Sequence, residues 1–289
     1  MPPRTAKDLR IRPLKATDLD SVAELSAAAF GNDLSDEASR RSWTDRLAHP
    51  FATDPDGAFV AERDGRPVGL AQAIRRERVW ILSMLAVDPE LQSAGAGRSL
   101  LKCALGYGAG CDAGLICSSN DPRALRLYRL ACFSLRPAFA AKGRLDRRTL
   151  PPADPAVREA DERDLDAIEA ISREVRGGPH TSELAWGLGR GMRVLRLGDR
   201  GFAAVRPGVN VWMLAARDTE AAQTLLWPAL ELVGDLEEGQ SSVRWITGGQ
   251  DWAMDVVLRA GYALEPSTAL CVCGQPGTLH PFVPSPPFA

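Results

Sequence analysis

The sequence predicts an α/β fold of the α+β kind, built as two tandem domains, each with a mixed, mostly antiparallel twisted sheet flanked by helices. Short apolar strand patterns alternate with amphipathic helix patterns along the chain, and this alternation is typical of two-layer α/β architecture. Asp64-Gly65 lies between two strand patterns and indicates a hairpin, which makes the sheet mixed. Residues 11–25 are echoed by residues 157–171, so one arrangement is predicted to occur twice.

The internal repeat extends beyond this first echo. Residues 84–86 (Met-Leu-Ala) recur as 213–215, and residues 130–133 correspond to 259–262, in the same order along the chain. The proline-rich stretch 150–155 between the halves suits a linker. The predicted domains are residues 1–150 and residues 151–289, the second ending in an extended arm over 277–289.

The order of elements in the first half follows from hydrophobic periodicity and turn residues. Its first helix is amphipathic, and Thr17 with Asp20 offers a cap for the N-terminus of that helix. The second half is predicted to repeat the order from about residue 155. In the first half, strands are predicted at 9–13, 58–63, 67–76, 79–87 and 113–119, helices at 17–29, 35–48, 95–108 and 121–131, and a terminal strand pair near 134–150.

The composition argues against nucleic acid, membrane and metal as partners. The chain is 45% hydrophobic and 25% charged with a formal net charge of −2, so no electrostatic attraction to nucleic acid or anionic lipid is expected. No apolar run approaches the ~20 residues of a membrane span, and residues 1–12 lack the apolar core of an export signal. The six cysteines and three histidines lack zinc-site spacing. We expect a cytoplasmic monomer or homodimer with reduced cysteines and no metal.

The segment 82–101 is the sharpest chemical feature of the sequence. An apolar strand runs into a loop of small residues, and the loop opens a helix. Unpaired amides and the dipole at a helix N-terminus form a site for a phosphate group. Gly95 and Gly97 allow main chain to approach an anion where a Cβ would intrude. Leu100 occupies the position where a dinucleotide-binding motif needs its third glycine, and no Gly-Lys-Ser/Thr follows to make a Walker loop.

Two motifs together resemble the GNAT acyltransferase family. The first is a strand ending Leu-x-Val, followed by Gln-x-x-Gly-x-Gly at the start of a helix, at residues 85–97. The second is a strand, an asparagine, a helix and a tyrosine at residues 116–133. Cys132 replaces the glycine that usually precedes phenylalanine there. The resemblance covers the first half, while the second half is similar only in element order, as in tandem GNAT proteins with a degenerate C-terminal copy.

The resemblance implies acetyl-CoA as the cofactor and assigns roles to particular residues. The main chain of Leu85 and Val87 would pair with the pantetheine arm as an added strand. Asn120 would contact the pantetheine, and equally suits a helix cap or a turn residue before Pro122. Tyr128 would protonate the departing thiolate. The implied cofactor-binding set is Leu85, Ala86, Val87, Gln92, Ser93, Ala94, Gly95, Ala96, Gly97, Arg98, Ser99 and Asn120, with Tyr128 as the catalytic residue.

The sequence does not point to a general base. An amine with a lysine-like pKa is neutral in only about one molecule in 10³–10⁴ at pH 7, a deficit of about 4–5 kcal/mol. GNAT enzymes often recover this deficit with a carboxylate near the central strands, but residues 79–84 contain none. The candidate acids are Asp33, Asp36 and Glu37 in the loop between the first helices and Glu77 before the strand, each of which also suits an ordinary exposed position.

The second half lacks the chemical residues of the first. Its counterpart of the glycine loop, residues 211–226, contains no glycine, and Glu220 would repel a pyrophosphate. Alignment of Phe133 with Tyr262 places Val257 opposite Tyr128 and Gly249 opposite Asn120. We expect this half to be structural, with residues 176–180 as either a mobile loop or a plain surface turn.

The expected function is acetyl transfer from acetyl-CoA to an amine of a small molecule. Two alternatives stay open at this point. The first is a non-catalytic acyl-CoA sensor or interaction protein, which the absent strand carboxylate favours. The second is an enzyme whose acceptor is the N-terminus or a lysine of a protein.

Overall fold

The computed structural model of the chain describes residues 9–92, 95–237 and 240–289. These residues form a mixed α/β structure with mostly antiparallel sheets flanked by helices, as the sequence predicts. They divide into two compact units. The first unit contains the described residues of Met1–Arg75 and Trp80–Cys111, and the second contains those of Arg76–Val79 and Asp112–Ala289.

The first unit contains a four-strand segment of sheet in the order β1-β2-β3-β4. β1 pairs antiparallel with β2, and β2 with β3. Asp64 and Gly65 turn the chain between β2 and β3 with φ of 50° and 76°, as expected for a tight hairpin. The elements are β1 Arg10–Pro13, α1 Leu19–Phe30, α2 Glu37–Thr53, β2 Ala58–Arg63, β3 Arg66–Arg76, β4 Val79–Val87 and α3 Ala96–Tyr107.

One hydrophobic cluster holds the first unit together. Val22 and Ala23 of α1, Leu47 of α2, and Met84 and Ala86 of β4 all belong to it. Each of these side chains is at most 3% exposed. A fully buried aliphatic side chain contributes about 1.5–3 kcal/mol, so this cluster fixes β4 against the helices that precede it in sequence.

The second unit contains two groups of paired strands. The elements are β5 Ala113–Ser118, α4 Pro122–Leu130, β6 Ser134–Lys142, β7 Val157–Glu159, α5 Leu165–Arg176, α6 Thr181–Leu188, β8 Arg193–Leu197, β9 Gly201–Arg206, β10 Asn210–Ala216, α7 Thr219–Val233, β11 Ser241–Thr247, α8 Asp251–Arg259, β12 Ala263–Gly274 and β13 Phe282–Val283. One group has the order β5-β12-β6-β11, and the other has the order β13-β10-β9-β8-β7.

The last strands of the two sequence repeats are exchanged. β12 lies between β5 and β6 and is antiparallel to both. β6 in turn pairs antiparallel with β11. The prediction of a local strand pair near 134–150 is therefore wrong: residues 134–142 form one strand, whose partners come from more than 90 residues away in sequence. The same exchange explains why the compact units divide near residue 111 and not at 150.

The repeat is visible in the charge contacts that open each half. Arg12 donates from Nη1 to Asp18 at 2.7 Å, and the amide of Lys15 donates to the same carboxylate at 2.9 Å. In the second half, Arg158 donates from Nη1 to Asp164 at 2.8 Å. These aspartates lie at the start of α1 and α5, so the prediction that Thr17 and Asp20 form the cap was wrong. The arginine six residues upstream fixes the helix start at Asp18.

A left-handed turn after α4 corresponds to one after α8. The amide of Phe133 donates to the Tyr128 carbonyl at 3.1 Å, and the amide of Tyr262 donates to the Val257 carbonyl at 2.9 Å. Cys132 has φ of 69°, and its counterpart Gly261 has φ of 91°. The cysteine therefore keeps the turn, in a conformation that L-residues adopt with strain.

Cys132→Gly is expected to raise the free energy of unfolding by about 0.5–1 kcal/mol, because glycine adopts positive φ without a Cβ penalty. The cysteine side chain is exposed, so its loss removes little packing. Denaturant unfolding measures the change. Ala131→Gly is the control, because Ala131 has φ of −87° and glycine there should lower stability. Equal loss of stability in both variants would contradict the strain argument.

Candidate functional site

The carboxyl end of β4 combines a buried residue with two more accessible ones. Ala86 is 3% exposed, whereas Leu85 and Val87 are half-buried. The Gln92 side chain donates from Nε2 to the Val87 carbonyl at 3.2 Å. Gln92, expected in the cofactor-binding set, therefore also closes the loop back onto the end of β4.

The first turn of α3 begins at Gly95. Gly95 is the N-cap with φ of 92°, and no side chain caps the helix there. The amide of Ser99 makes the first helical bond, to the Gly95 carbonyl at 3.1 Å, so the preceding amides have no partner within the helix. Gly95, Arg98 and Ser99 are exposed, and Ala96 is buried. The expected ligands Ser93 and Ala94 lie outside the described residues.

The charge at this helix start differs from that of the other helices. Among the eight α-helices of the described residues, α3 alone has no aspartate or glutamate at its N-cap or in its first turn. Its first turn carries Arg98 instead, although a cation at a helix N-terminus costs about 0.3–1 kcal/mol. This arrangement favours an anion bound from outside the helix.

Two contacts fix α3 against the strands of the first unit. A Cβ at Gly69 of β3 would lie 2.8 Å from Leu100 Cδ1 and 3.3 Å from the Ala86 carbonyl oxygen, so the absent side chain lets the helix approach. Trp80 of β4 donates from Nε1 to the Ala104 carbonyl at 2.8 Å. These two contacts thus fix the position of α3 against β3 and β4.

The C-terminal end of α3 is tied down by a buried carboxylate. Asp54 is 4% exposed. Its Oδ1 accepts hydrogen bonds from Tyr107 Oη and from the Arg75 amide, both at 2.8 Å. Because Tyr107 is the last residue of α3 and Arg75 lies near the end of β3, this contact joins the helix to the sheet. The sequence offered no signal for it.

The counterpart of this helix in the second unit is closed by the chain itself. Asp218 caps α7, and its Oδ1 accepts from the Ala221 amide at 2.8 Å. Arg200 forms ion pairs with Asp218 at 2.7 Å and with Glu220 at 2.8 Å. The N-cap position that Gly95 occupies in α3 is therefore occupied in α7 by an aspartate that caps the helix.

Asn120, expected to contact the pantetheine, and Tyr128, expected to protonate the thiolate, belong to the second unit. Tyr128 is 5% exposed, and burial raises the pKa of its phenol above the ordinary value, with Cys271 and Asp121 adding to the rise. Asn120 is exposed. The N-cap of α4 is Asp121, whose Oδ1 accepts from the Arg123 amide at 2.8 Å, so the helix-cap alternative for Asn120 was wrong.

Each of the four candidate acids has a hydrogen-bond or ion-pair partner. Asp36 caps α2 by accepting from the Ser39 amide at 2.8 Å. Asp33 accepts from the Ser35 amide and hydroxyl at 2.8 Å each. Glu77 pairs with Arg173 at 2.7 Å, and Glu37 lies 3.6 Å from Arg40. The structure therefore singles out none of the four as a base.

The segment 176–180 is neither a mobile loop nor a surface turn. Arg176 and His180 are both fully buried. A Cβ at Gly177 would lie 2.9 Å from the Gly277 amide nitrogen. The glycines that suggested a turn instead allow another part of the chain to pack closely against this one.

No group of three or more histidine, cysteine, aspartate or glutamate side chains in the described part of the chain is arranged to hold a metal ion. No helix within 9–92, 95–237 or 240–289 is both long enough and apolar enough to cross a membrane.

Residues 19–132 match the acetyltransferase (GNAT) family. Mycothiol acetyltransferase of Streptomyces bingchenggensis is 36% identical over 88 residues, covering 29% of this chain and 28% of the relative. Mycothiol acetyltransferase of Acidothermus cellulolyticus is 33% identical over 129 residues, covering 37% of this chain and 38% of the relative. The alignments thus span well under half the length of these two relatives.

Two solved structures share the fold over nearly the whole chain. A Pyrococcus horikoshii protein named as an acetyltransferase has a TM-score of 0.79 at 16% identity, covering 98% of this chain and 96% of that one. A GCN5-related N-acetyltransferase from Kribbella flavida has a TM-score of 0.60 at 19% identity, covering 92% of this chain and 72% of that one.

Residues 19–132 of this chain therefore carry the sequence pattern of the acetyltransferase (GNAT) family, and the chain shares the fold of the two solved structures.

In the folded protein, Tyr128 is expected to stay protonated well above pH 10, because burial raises its pKa and an exposed tyrosine titrates near pH 10. A rapid pH jump followed by ultraviolet absorbance of the phenolate should therefore give the same amplitude near pH 10 for the wild type and for Tyr128→Phe. The unfolded proteins, compared in denaturant, should differ by one tyrosine. A smaller native amplitude in Tyr128→Phe would show that the phenol ionises freely.

Proposed function

We propose that the chain is an N-acetyltransferase that moves an acetyl group from acetyl-CoA to an amine of a small molecule. The observation that carries the proposal is the start of α3, which has no side-chain cap, no acid and an exposed arginine. This helix packs against β3 and β4, and its start suits the diphosphate of coenzyme A. The family match of residues 19–132 supports the same cofactor.

The first-turn amides of α3 would hold the diphosphate. The main-chain N–H groups of Ala96, Gly97 and Arg98 precede the first helical hydrogen bond, so they are free to donate to phosphate oxygens. Charge-assisted hydrogen bonds of this kind are about twice as strong as neutral ones. The side chains of Arg98 and Ser99 are exposed beside them and add donors.

The end of β4 would hold the pantetheine arm. Leu85 and Val87 are half-buried, and their main chain would pair with the amides of the arm as an added strand. The hydrogen bond from Gln92 to the Val87 carbonyl keeps the strand end and the glycine loop together. One segment of chain would thereby bind both parts of the cofactor.

Acetyl-CoA would supply the thioester, and Tyr128 would supply the proton. A phenol with a raised pKa remains protonated at neutral pH and so acts as a donor and not as a base. Proton donation from Tyr128 Oη would favour departure of a thiolate, whose ordinary pKa is about 8.5. Asn120, exposed just before α4, would contact the pantetheine.

A small molecule is the acceptor that the relatives support. Both curated relatives carry the name mycothiol acetyltransferase, and each alignment covers less than half of the relative. The acids Asp33, Asp36, Glu37 and Glu77 all have hydrogen-bond or ion-pair partners within the protein. That observation favours one second candidate function, a non-catalytic acyl-CoA-binding protein.

The second sequence repeat would be structural, as a degenerate copy that binds no cofactor. Asp218 caps α7, and Glu220 lies in its first turn, so a diphosphate there would meet two carboxylates. Val257 stands at the position of Tyr128, since each accepts the same turn hydrogen bond after its helix.

Gly95→Asp is expected to weaken coenzyme A binding, because it places a carboxylate at the N-cap of α3. Asp218 occupies the corresponding position at the N-cap of α7. Gly95→Asn is the matched control, since it adds the same bulk and the same positive-φ strain without charge. Affinity measured by calorimetry should be at least about tenfold lower for the aspartate than for the asparagine, because like charges near a protein surface repel by a few kcal/mol. Equal affinities would remove the diphosphate from the start of α3.

Tyr128→Phe is expected to lower kcat for thiol release from acetyl-CoA by about 10²–10³-fold, because it removes the proton donor. The affinity for coenzyme A should change less than threefold, and a panel of small amines would serve as acceptors. Tyr262→Phe, at a buried tyrosine of the other repeat, is the control and should turn over normally. Tight cofactor binding with no thiol release from the wild type would favour the non-catalytic alternative.

A further inference from the structure

The tail of the chain adds a strand to the edge of β10. β13 pairs antiparallel with β10, with Leu214 opposite Val283 and Ala215 opposite Phe282. The amide of Ala216 donates to the Pro281 carbonyl at 3.3 Å, and the amide of Phe282 donates to Gln250 Oε1 at 3.1 Å. The predicted extended arm is therefore an ordered segment that pairs with a strand.

The tail pairs with the part of β10 that corresponds to the end of β4. Residues 213–215 (Met-Leu-Ala) repeat residues 84–86, which makes Leu214 and Ala215 the counterparts of Leu85 and Ala86. In the first unit this stretch is the proposed partner of the pantetheine arm. In the second unit the same stretch is the partner of Phe282 and Val283.

Aromatic side chains anchor the tail at two points. Phe282, Val283 and Phe288 are each at most 1% exposed. The Phe288 ring lies edge-on to Trp212 of β10 at 5.3 Å between centroids and to Trp186 of α6 at 6.1 Å. Buried aromatic side chains of this kind dominate binding energies at peptide-recognition surfaces.

Buried polar groups receive the main chain of the tail. Arg176 of α5 donates from Nη1 to the Phe288 carbonyl at 2.7 Å and from Nη2 to the Gly178 carbonyl at 3.0 Å. His180 lies with Nε2 3.0 Å from the Ala289 carbonyl oxygen and Nδ1 3.0 Å from Ser172 Oγ. A buried guanidinium is costly unless its donors are paired, so these carbonyl groups satisfy a charge that the helices alone leave inside the protein.

We propose that β10, α5 and α6 form a peptide-binding groove whose occupant is the chain's own segment 279–289. Strand addition would serve to bind a cofactor in the first repeat and a polypeptide in the second. The comparison with the cofactor rests on the proposed function, whereas the groove itself does not. Its ligand is an extended peptide with buried aromatic residues at its first and seventh positions, counted from Phe282.

Cleavage of the tail from the folded chain tests the proposal. A protease-recognition sequence is inserted between Gln275 and Pro276, next to the exposed Gln275, and the uncleaved insertion protein must keep the wild-type melting temperature. After cleavage, peptide 276–289 is expected to co-elute with the protein in size exclusion.

A labelled synthetic copy of 276–289 should exchange into the groove. The Phe288→Ala peptide should bind at least tenfold more weakly, and the His280→Gln peptide, altered at an exposed residue, should bind within twofold of the original.

Hydrogen exchange on the full chain without the insertion supplies a second readout. The amides of Phe282 and Ala216 should exchange as slowly as those of β9, and Phe288→Ala should speed exchange at both by at least tenfold while leaving Val205 of β9 unchanged. Loss of the peptide on cleavage with the fold intact, or equal binding of the Phe288→Ala peptide, would overturn the groove. Calorimetry with coenzyme A on the cleaved sample reports separately on the first unit, where loss of binding would count against the proposed function alone.

Discussion

The amide groups that open a helix must find a hydrogen-bond partner outside that helix, and the way in which this chain meets the requirement organises both of its repeats. At α7 the partner is Asp218, and acids stand at or near the other helix starts described above. At α3 the chain provides Gly95 and Arg98, with no acid. A ligand that brings negative charge is the group this start lacks.

A strand edge poses the same requirement in a second form, because its main-chain groups also need partners. At β10 the tail provides them through Phe282 and Val283. The chain thus satisfies the main chain of β10 and of the start of α7 from within, while the proposed site at β4 and α3 would be satisfied by a cofactor. The exchange of β6 and β12 adds pairing between segments distant in sequence, so neither repeat completes its sheet from local strands.

Local pattern was enough to predict the elements that carry the site. β2 and β4 have the predicted bounds, 58–63 and 79–87, because each is an apolar run that ends at turn residues. The start of α3 within one residue of Gly95 followed from the glycines and from the resemblance to a known family.

Contacts between segments distant in sequence could not be predicted in the same way. The pairing of 134–142 with 241–247 cannot be predicted from the sequence of either segment alone. The exchange of β6 and β12 was therefore not predicted. The glycines around Arg176 suggested a turn, yet the Phe288 carbonyl that this arginine binds comes from 112 residues away in sequence. The start of α1 at Asp18 depends on Arg12, a side-chain contact between a strand and a helix that periodicity does not report. The general base stays unassigned for the same reason, since a base is defined by its distance from an acceptor.

The most direct test of the central claim compares coenzyme A with pantetheine, which has the arm but lacks the diphosphate and the nucleotide. If the open start of α3 holds the diphosphate, calorimetry on the full chain should show coenzyme A binding at least about 100-fold more tightly than pantetheine, a difference of about 2.7 kcal/mol. The difference should shrink as salt is raised, because charge carries it. Equal affinities for the two compounds, or no binding of coenzyme A at all, would contradict the account.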